Sequence, residues 1–186
     1  YNMISVDGDT STNDTVLLLA NGKAGNPEIT EENEDYKAFA KALNYVNTTL
    51  AKKMAGDGEG ATALFECKVI HAASVKEAKI LAKSVITSSL TKAAIYGHDA
   101  NWGRVAAALG RSGARFNQED VDIDILGLPV CRAGLVVDFD EEEALRRFEE
   151  PEVAIEVDLH AGEESATMWT CDFSHEYVTI NGDYRS

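Results

Sequence analysis

The sequence predicts a mixed α/β (α+β) fold, and three observations support this class. Candidate helices and strands alternate in the first half of the 186 residues, whereas candidate strands cluster in the second half. Hydrophobic residues make up 45% of the chain and charged residues 26%, which is an ordinary globular composition. The length suits one large domain or two small ones. Apolar runs such as residues 16–20 are far too short to cross a bilayer.

The first third of the chain predicts two short strands and one long helix. Residues 1–6 and 16–20 have the length of strands, and the glycines and proline that follow indicate a loop. Thr30, with two glutamates after it, is a typical helix start, and Gly56 predicts a left-handed cap at the helix end. Between them, apolar side chains recur every three or four residues and predict a single helical stripe. The stripe comprises Tyr36, Phe39, Leu43, Val46, Leu50 and Met54.

The remaining elements are predicted from caps, helix breakers and changes of hydrophobic period. Strands are predicted at 61–72, 91–96, 121–126, 130–137, 153–159, 168–171 and 177–180. Helices are predicted at 75–86, where Ser74 and Glu77 form a capping-box pattern, and at 100–109 and 140–148. A glycine-rich turn at 56–60 marks a weak boundary, which divides the chain into residues 1–56 and 57–186.

The charge distribution excludes some classes of partner. Seventeen basic residues against 32 acidic ones give a formal charge of −15, so nucleic acid and anionic membrane surfaces are not expected partners. Residues 138–164 hold twelve acids and two bases, and therefore carry −10 of that charge. A solvated surface accounts for this window, with a docking site for a basic partner as the alternative.

Cysteine and histidine spacings argue against disulfides and metals. Cys67, Cys131 and Cys171 are separated by 64 and 40 residues, which fits neither a disulfide framework nor a local zinc motif. We expect all three to be small buried side chains in a reducing compartment. The histidines at positions 71, 98, 160 and 175 lack the two-histidine helical spacing of metalloproteases. No metal site is therefore predicted.

Two polar segments are candidates for a functional site. Residues 7–15 begin like a calcium-binding EF-hand loop, but Thr12 and Leu18 occupy its required glycine and glutamate positions. A turn closed by side-chain hydrogen bonds is expected instead, with a polar turn near an active site as the alternative. Glu59 lies between two glycines, which would let its carboxylate project from a tight turn close to a ligand. The pattern alone also fits an ordinary solvated glutamate.

Four segments in this order resemble ornithine acetyltransferase, the glutamate N-acetyltransferase of arginine biosynthesis. They are Asp7–Thr15, Asp57–Thr62, Asp99–Arg104 and Tyr177–Ser186. The resemblance spans the whole chain and implies a layered αββα sandwich, of which this chain is the C-terminal part of the β chain. Residues 1–56 would then belong to the nucleophile-bearing domain and end in its long helix, and residues 57–186 would form a C-terminal α/β domain.

The resemblance also implies a reaction. Members of the family cleave themselves before a threonine, which becomes the N-terminal nucleophile of the β chain and carries the acetyl group from N-acetylornithine to glutamate. That threonine precedes the family segment that matches Tyr1, so no catalytic residue is assigned here and this chain alone is expected to be inactive. The family's substrate-binding positions fall on Glu59, Asn181 and Ser186. Glu59 would suit an ammonium group of ornithine.

The resemblance further implies the partners and the location. An α chain from the same precursor would complete an α2β2 heterotetramer in the cytoplasm, or in the mitochondrial matrix if the protein is eukaryotic. No cofactor is expected, with acetyl-CoA as a co-substrate if the protein is bifunctional. Two alternatives stay open: a non-catalytic small-molecule-binding or assembly domain of the same fold, and a related N-terminal-nucleophile amidase.

Overall fold

The protein is described by a computed structural model over residues 1–10 and 13–184. Within these ranges it has six α-helices and six β-strands, which confirms the mixed α/β class. The helices are α1 (Glu34–Gly56), α2 (Val75–Ile86), α3 (Ser89–Tyr96), α4 (Trp102–Gly110), α5 (Glu141–Arg147) and α6 (His175–Asp183). The strands are β1 (Leu64–Ala72), β2 (Asp122–Ile125), β3 (Leu128–Arg132), β4 (Leu135–Val136), β5 (Glu152–Asp158) and β6 (Glu164–Cys171).

The strands form one sheet in the order β4-β3-β2-β5-β1-β6. Its central strands β1 and β5 are parallel, and each of the other neighbouring pairs is antiparallel. Alternate side chains of β1 are buried, because successive residues of a strand point to opposite faces. Phe65, Cys67 and Val69 face α2 and form the core with it. All three cysteines are buried and unpaired, as predicted.

Helix α2 has the predicted bounds because its N-terminus carries a complete cap. The Ser74 hydroxyl accepts a hydrogen bond from the Glu77 backbone N–H at 3.2 Å and donates to the Glu77 carboxylate at 3.3 Å. The buried side chains of this helix include Leu81 and Val85, which lie one turn apart on the face turned to the sheet. The Ser74 cap and the spacing of the apolar residues therefore predict the same helix.

Replacing Ser74 by alanine should lower the free energy of unfolding of the intact protein by about 1 kcal/mol, because the first turn loses its acceptor. Replacing it by glycine should lower the free energy of unfolding by only a few tenths of about 1 kcal/mol, because water then reaches the free N–H groups. Urea denaturation of the two variants tests the order. Equal stability of both variants would contradict the cap.

The strands predicted at 1–6 and 16–20 are wrong. Within the described residues, Ile4 makes only an isolated parallel bridge to Trp169 at the edge of β6. Residues 16–20 have no regular structure, and the Leu19 side chain is 91% exposed. A run of apolar residues has the composition of a buried strand, but it forms one only where another strand or layer lies beside it.

The long helix α1 begins and ends differently from the prediction. It starts at Glu34 rather than at Thr30, because the side chain of Asn33 accepts a backbone N–H of the first turn. Gly56 is the last helical residue, and Asp57 follows it with φ −98°, so the left-handed glycine cap is also wrong.

Helix α1 packs on the sheet only near its end, and it does so through alanines that lie outside the predicted apolar stripe. Ala51 and Ala55 are buried, and Lys52 Nζ lies 3.3 Å from a Glu66 carboxylate oxygen on β1. Earlier in the helix the stripe faces outward, and Phe39 is 61% exposed. Although α1 is long and partly apolar, no helix in the described part of the chain is both long and apolar enough to cross a membrane.

The strands predicted at 91–96 and 177–180 are helices. The Ser88 and Ser174 hydroxyls cap α3 and α6 by accepting backbone N–H groups three residues later. Both segments are short and contain β-branched residues, so their local sequence favours strands. The serine caps and the packing of α3 against α4 outweigh that preference.

Candidate functional site

A tight turn before β1 carries Glu59, and its two glycines are required by close contacts. Gly60 has φ +67°, and a Cβ there would lie 2.6 Å from the Glu176 Cβ on α6. A Cβ at Gly58 would lie 2.7 Å from the Cys171 sulfur at the end of β6. The turn is thus pressed against the last strand and the last helix, and Glu59 projects from it.

Glu59 meets Asn181 across 122 residues of sequence. The Asn181 Nδ2 donates to Glu59 Oε2 at 2.6 Å and to the Tyr177 carbonyl oxygen, one turn back along α6, at 2.9 Å. Below this contact, the Ser174 hydroxyl donates to the Gly60 carbonyl at 2.6 Å, so the cap of α6 also fastens the turn. Glu59 and Asn181 are both exposed, and a ligand could reach them.

The polar segment near the N-terminus joins the same cluster. The Tyr177 hydroxyl donates to Asp7 Oδ2 at 2.9 Å, and Asp7 Oδ1 accepts the Asp9 backbone N–H at 2.9 Å, as expected for a side-chain-closed turn. Burial, the hydrogen bond to Asp7 and the charges of Asp7, Asp9 and Glu59 raise the pKa of Tyr177 to about 12. Three carboxylates therefore act on one phenol.

A buried aspartate ties the end of β6 to the start of β1. Asp172 Oδ1 accepts the backbone N–H groups of Thr62 at 2.8 Å and Ala63 at 3.1 Å, and its Oδ2 accepts the Thr62 hydroxyl at 2.6 Å. These bonds fix the chain immediately after the turn that carries Glu59. Asp172 thus positions the turn without facing the ligand side.

A buried lysine, Lys92, holds the N-terminal segment that carries Asp7. Lys92 on α3 donates from Nζ to the Val6 carbonyl and to the Thr170 hydroxyl, the latter at 3.2 Å, and lies 4.2 Å from the Phe173 ring centre. Burial lowers the pKa of Lys92, and nearby negative groups, including Asp7, oppose that change. Because Val6 precedes Asp7, Lys92 holds the segment that reaches Tyr177.

The structure brings together two of the three predicted binding residues. Glu59 and Asn181 are in contact, while Ser186 lies outside the described residues. The segment 99–104 serves α4 instead: the Asn101 side chain accepts the Arg104 backbone N–H at 3.1 Å and caps the helix. Among the described residues, no side chain of the segment 99–104 forms a hydrogen bond or salt bridge with Glu59 or Asn181.

Sequence reasoning missed the supporting residues Asp172 and Lys92. Asp172 directly follows a predicted strand, and a lone acid at a strand end is a weak signal. Lys92 lay inside a wrongly predicted strand, so its buried position could not be foreseen. Neither residue belongs to a motif.

Comparison with known proteins identifies the family. The sequence model of the ArgJ family matches residues 1–186. The chain belongs to the ArgJ family. The arginine biosynthesis bifunctional protein ArgJ of Symbiobacterium thermophilum is 55% identical over 100% of this chain and 46% of its own length. For ArgJ 1 of Clostridium acetobutylicum the identity is 53%, over 100% of this chain and 47% of that protein.

A solved ArgJ structure has the same fold. The crystal structure of arginine biosynthesis bifunctional protein argJ from Bacillus halodurans superposes with a TM-score of 0.94 at 46% identity, over 98% of this chain and 86% of that chain. The resemblance recognised in the sequence is thereby confirmed, and so is the fold. The chain spans about half the length of the curated relatives.

In this ArgJ chain the cluster has a clear chemical character. Three segments far apart in sequence supply the carboxylates of Asp7, Asp9 and Glu59, the amide of Asn181 and the phenol of Tyr177. Carboxylates favour a cationic ligand group, and a hydrogen bond between charged groups is short and strong. The arrangement is suited to hold an ammonium group beside a polar contact.

Proposed function

We propose that this chain forms part of the substrate site of an acetyltransferase that moves an acetyl group from N-acetylornithine to glutamate. The observation that carries the proposal is the contact between Glu59 and Asn181, which are brought together by the turn before β1 and by α6. Glu59 binds the ammonium group of the ornithine moiety, Asn181 orients the carboxylate and offers a polar contact, and Ser186 completes the set. The acetyl group is carried by a threonine nucleophile upstream of this chain.

The ammonium role of Glu59 follows from charge. Its carboxylate is exposed and can exchange a solvent contact for a ligand contact. Asp7 and Asp9 add negative potential on the same side, which raises the local concentration of a cation. One hydrogen bond to a charged group contributes about 1.5–3 kcal/mol, so its loss should weaken substrate binding by about 10- to 100-fold.

The test is acetyl transfer from N-acetylornithine to glutamate by the intact protein. Replacing Glu59 by glutamine should raise KM for N-acetylornithine by about 10- to 100-fold, because the amide keeps the shape and removes the charge. Asn181→Ala should raise it less, since the carboxylate remains. Steady-state kinetics with each substrate varied in turn provide the measurement.

Glu163→Gln is the matched control, because Glu163 is an exposed acid just before β6, at the end of that strand away from Asp172. Its kinetic constants should equal those of the unchanged protein. Unchanged constants for Glu59→Gln would refute the site assignment. Binding of N-acetylornithine without any acetyl transfer by the unchanged protein would instead favour a non-catalytic binding domain.

We propose that residues 1–56 and 57–186 belong to different units of the complete protein. The residues of the main core cluster, from Phe65 to Met168, all fall in the second unit. In the first unit, apolar side chains of residues 16–19 and of the α1 stripe are largely exposed. Such surfaces are typical of contacts with another chain or domain.

The partner proposed for those surfaces is an α chain cut from the same precursor, in an α2β2 heterotetramer. Coverage supports a two-chain protein: the same sequence fills 86% of the crystallised Bacillus halodurans chain but only 47% of the Clostridium acetobutylicum relative. The crystallised chain is thus little more than half as long as that relative. This chain alone would be inactive, and acetyl-CoA is the proposed second donor, consistent with relatives named bifunctional.

A further inference from the structure

Two histidines and an aspartate lie close together at the carboxyl ends of the two central strands, far from Glu59. His71 lies near the end of β1, and Asp158 and His160 lie at and after the end of β5. The two strands are parallel, with Ile70 opposite Asp158, so their carboxyl ends share one edge. The Ala161 backbone N–H donates to the His71 carbonyl at 2.8 Å and locks the two chain segments together.

The three side chains converge on one point. One potential ligand atom from each of His71, Asp158 and His160 lies within 4.8 Å of the other two. His71 Nδ1 is 2.8 Å from Asp158 Oδ2, and His160 Nδ1 is 3.5 Å from Asp158 Oδ1. Neighbouring ligand atoms of a tetrahedral zinc ion are about 3.3 Å apart. Small side-chain rotations would therefore close the set around an ion, and both histidine side chains are half exposed.

A second carboxylate prepares His160 for this role. Asp122 Oδ2 lies 3.1 Å from His160 Nε2, on the ring nitrogen that faces away from Asp158. A carboxylate on one nitrogen fixes the proton there and leaves the lone pair of the other nitrogen for a metal. This pattern of carboxylate, histidine and ion is common in zinc proteins.

The charges around the cluster also favour a cation. Asp158 and Asp122 contact the histidines, and Asp120 is close enough to act on His160. Arg132 lies beside Asp122, with Nε at 3.8 Å from Oδ2, and partly offsets one of these charges. The balance stays negative, which favours the binding of a cation at this place.

We propose that His71, Asp158 and His160 form a binding site for a divalent transition-metal ion such as Zn²⁺ or Co²⁺. Two imidazole nitrogens and one carboxylate oxygen match the preferences of these ions, whereas Mg²⁺ and Ca²⁺ prefer all-oxygen sets. Three protein ligands leave the fourth position of a tetrahedral ion open to water. From the start of β1 to His71 the strand spans about 23 Å, so the ion would stabilise the carboxyl ends of β1 and β5 without contacting the turn at Glu59.

The experiment is calorimetric titration of the intact, metal-free protein with Zn²⁺, compared with the variant His71→Asn plus His160→Asn. Asparagine is chosen because both histidines have left-handed φ angles, 50° and 48°, which asparagine tolerates. The unchanged protein should bind one more equivalent than the double variant. Asp122→Asn should weaken that equivalent by about 10- to 100-fold, and Mg²⁺ should not replace Zn²⁺.

His98→Asn is the matched control, because His98 also has a left-handed φ, 53°, but stacks on Phe148 outside the cluster. It should keep the zinc equivalent. Equal zinc binding by the double variant, or no saturable binding by the unchanged protein, overturns the proposal. If the double variant fails to fold, NMR of the histidine rings in the unchanged protein decides: only resonances of His71 and His160 should shift at one equivalent, and shifts elsewhere alone refute the site.

Discussion

Replacing Asp172 by alanine is expected to lower the free energy of unfolding of the intact protein by about 3–5 kcal/mol. The Asp172 carboxylate is 2% exposed and accepts three hydrogen bonds, from the Thr62 and Ala63 backbones and the Thr62 hydroxyl. Alanine leaves these donors without an acceptor at a junction that joins the first and last strands. Urea denaturation followed by tryptophan fluorescence measures the loss.

Two further variants separate this effect from a general loss of charge. Asp172→Asn keeps one acceptor oxygen and the side-chain shape, so it should lose about half as much stability as alanine does. Asp57→Ala removes an exposed acid beside the same turn and should change stability by less than about 0.5 kcal/mol. If Asp172→Ala were as stable as Asp57→Ala, the hydrogen bonds of Asp172 would contribute nothing to the stability of the protein.

The same variant links stability to the proposed site. The bonds of Asp172 begin two residues after Gly60, so their loss should let the turn that carries Glu59 move. KM for N-acetylornithine should therefore rise in Asp172→Asn even under conditions where the protein is fully folded. A purely structural role would leave KM unchanged at low temperature, where the folded state dominates.

Local signals predicted those elements whose caps and periodicity agree. Helix α2 has the predicted bounds because Ser74 caps it and its apolar residues follow a helical period. The residues of α3 and α6 predict strands because segments of eight or nine residues that contain β-branched side chains satisfy both patterns. Only tertiary contacts decide such cases: α3 becomes a helix because Ile95 and Thr91 are buried on one face.

Sites assembled from distant residues were less accessible. Glu59 and Asn181 are 122 residues apart, and no period or spacing links them, so the resemblance to a family was needed to name them together. The proximity of His71 and His160 could not be predicted either. The parallel pairing of β1 and β5 brings them together, and rules based on helical spacing do not detect such pairs. Sequence spacing reveals sites within one element, whereas register between strands creates the others.

Lys92 should produce the second large loss of stability. Its side chain is 1% exposed and donates hydrogen bonds to Val6 and Thr170 while it packs on the Phe173 ring. Lys92→Ala removes the buried methylenes and both bonds, and should cost about 3–5 kcal/mol. Lys92→Met keeps most of the volume and should cost about 1–2 kcal/mol, which isolates the hydrogen bonds. Lys76→Met on the exposed side of α2 is the control and should be neutral.

The dependence on pH gives an independent check, because burial lowers the pKa of Lys92 below its ordinary 10.5. Between the lowered pKa and 10.5, the unfolded chain binds the proton and the folded chain does not, so stability from this group increases as pH rises. It is lost as pH falls through the lowered value, where a charge must be buried. The stability gap between the unchanged protein and Lys92→Met should therefore be wider at alkaline than at neutral pH, by urea denaturation at each pH. A gap that is constant or narrows would mean that the ammonium, rather than the amine, is the favoured partner of Val6 and Thr170.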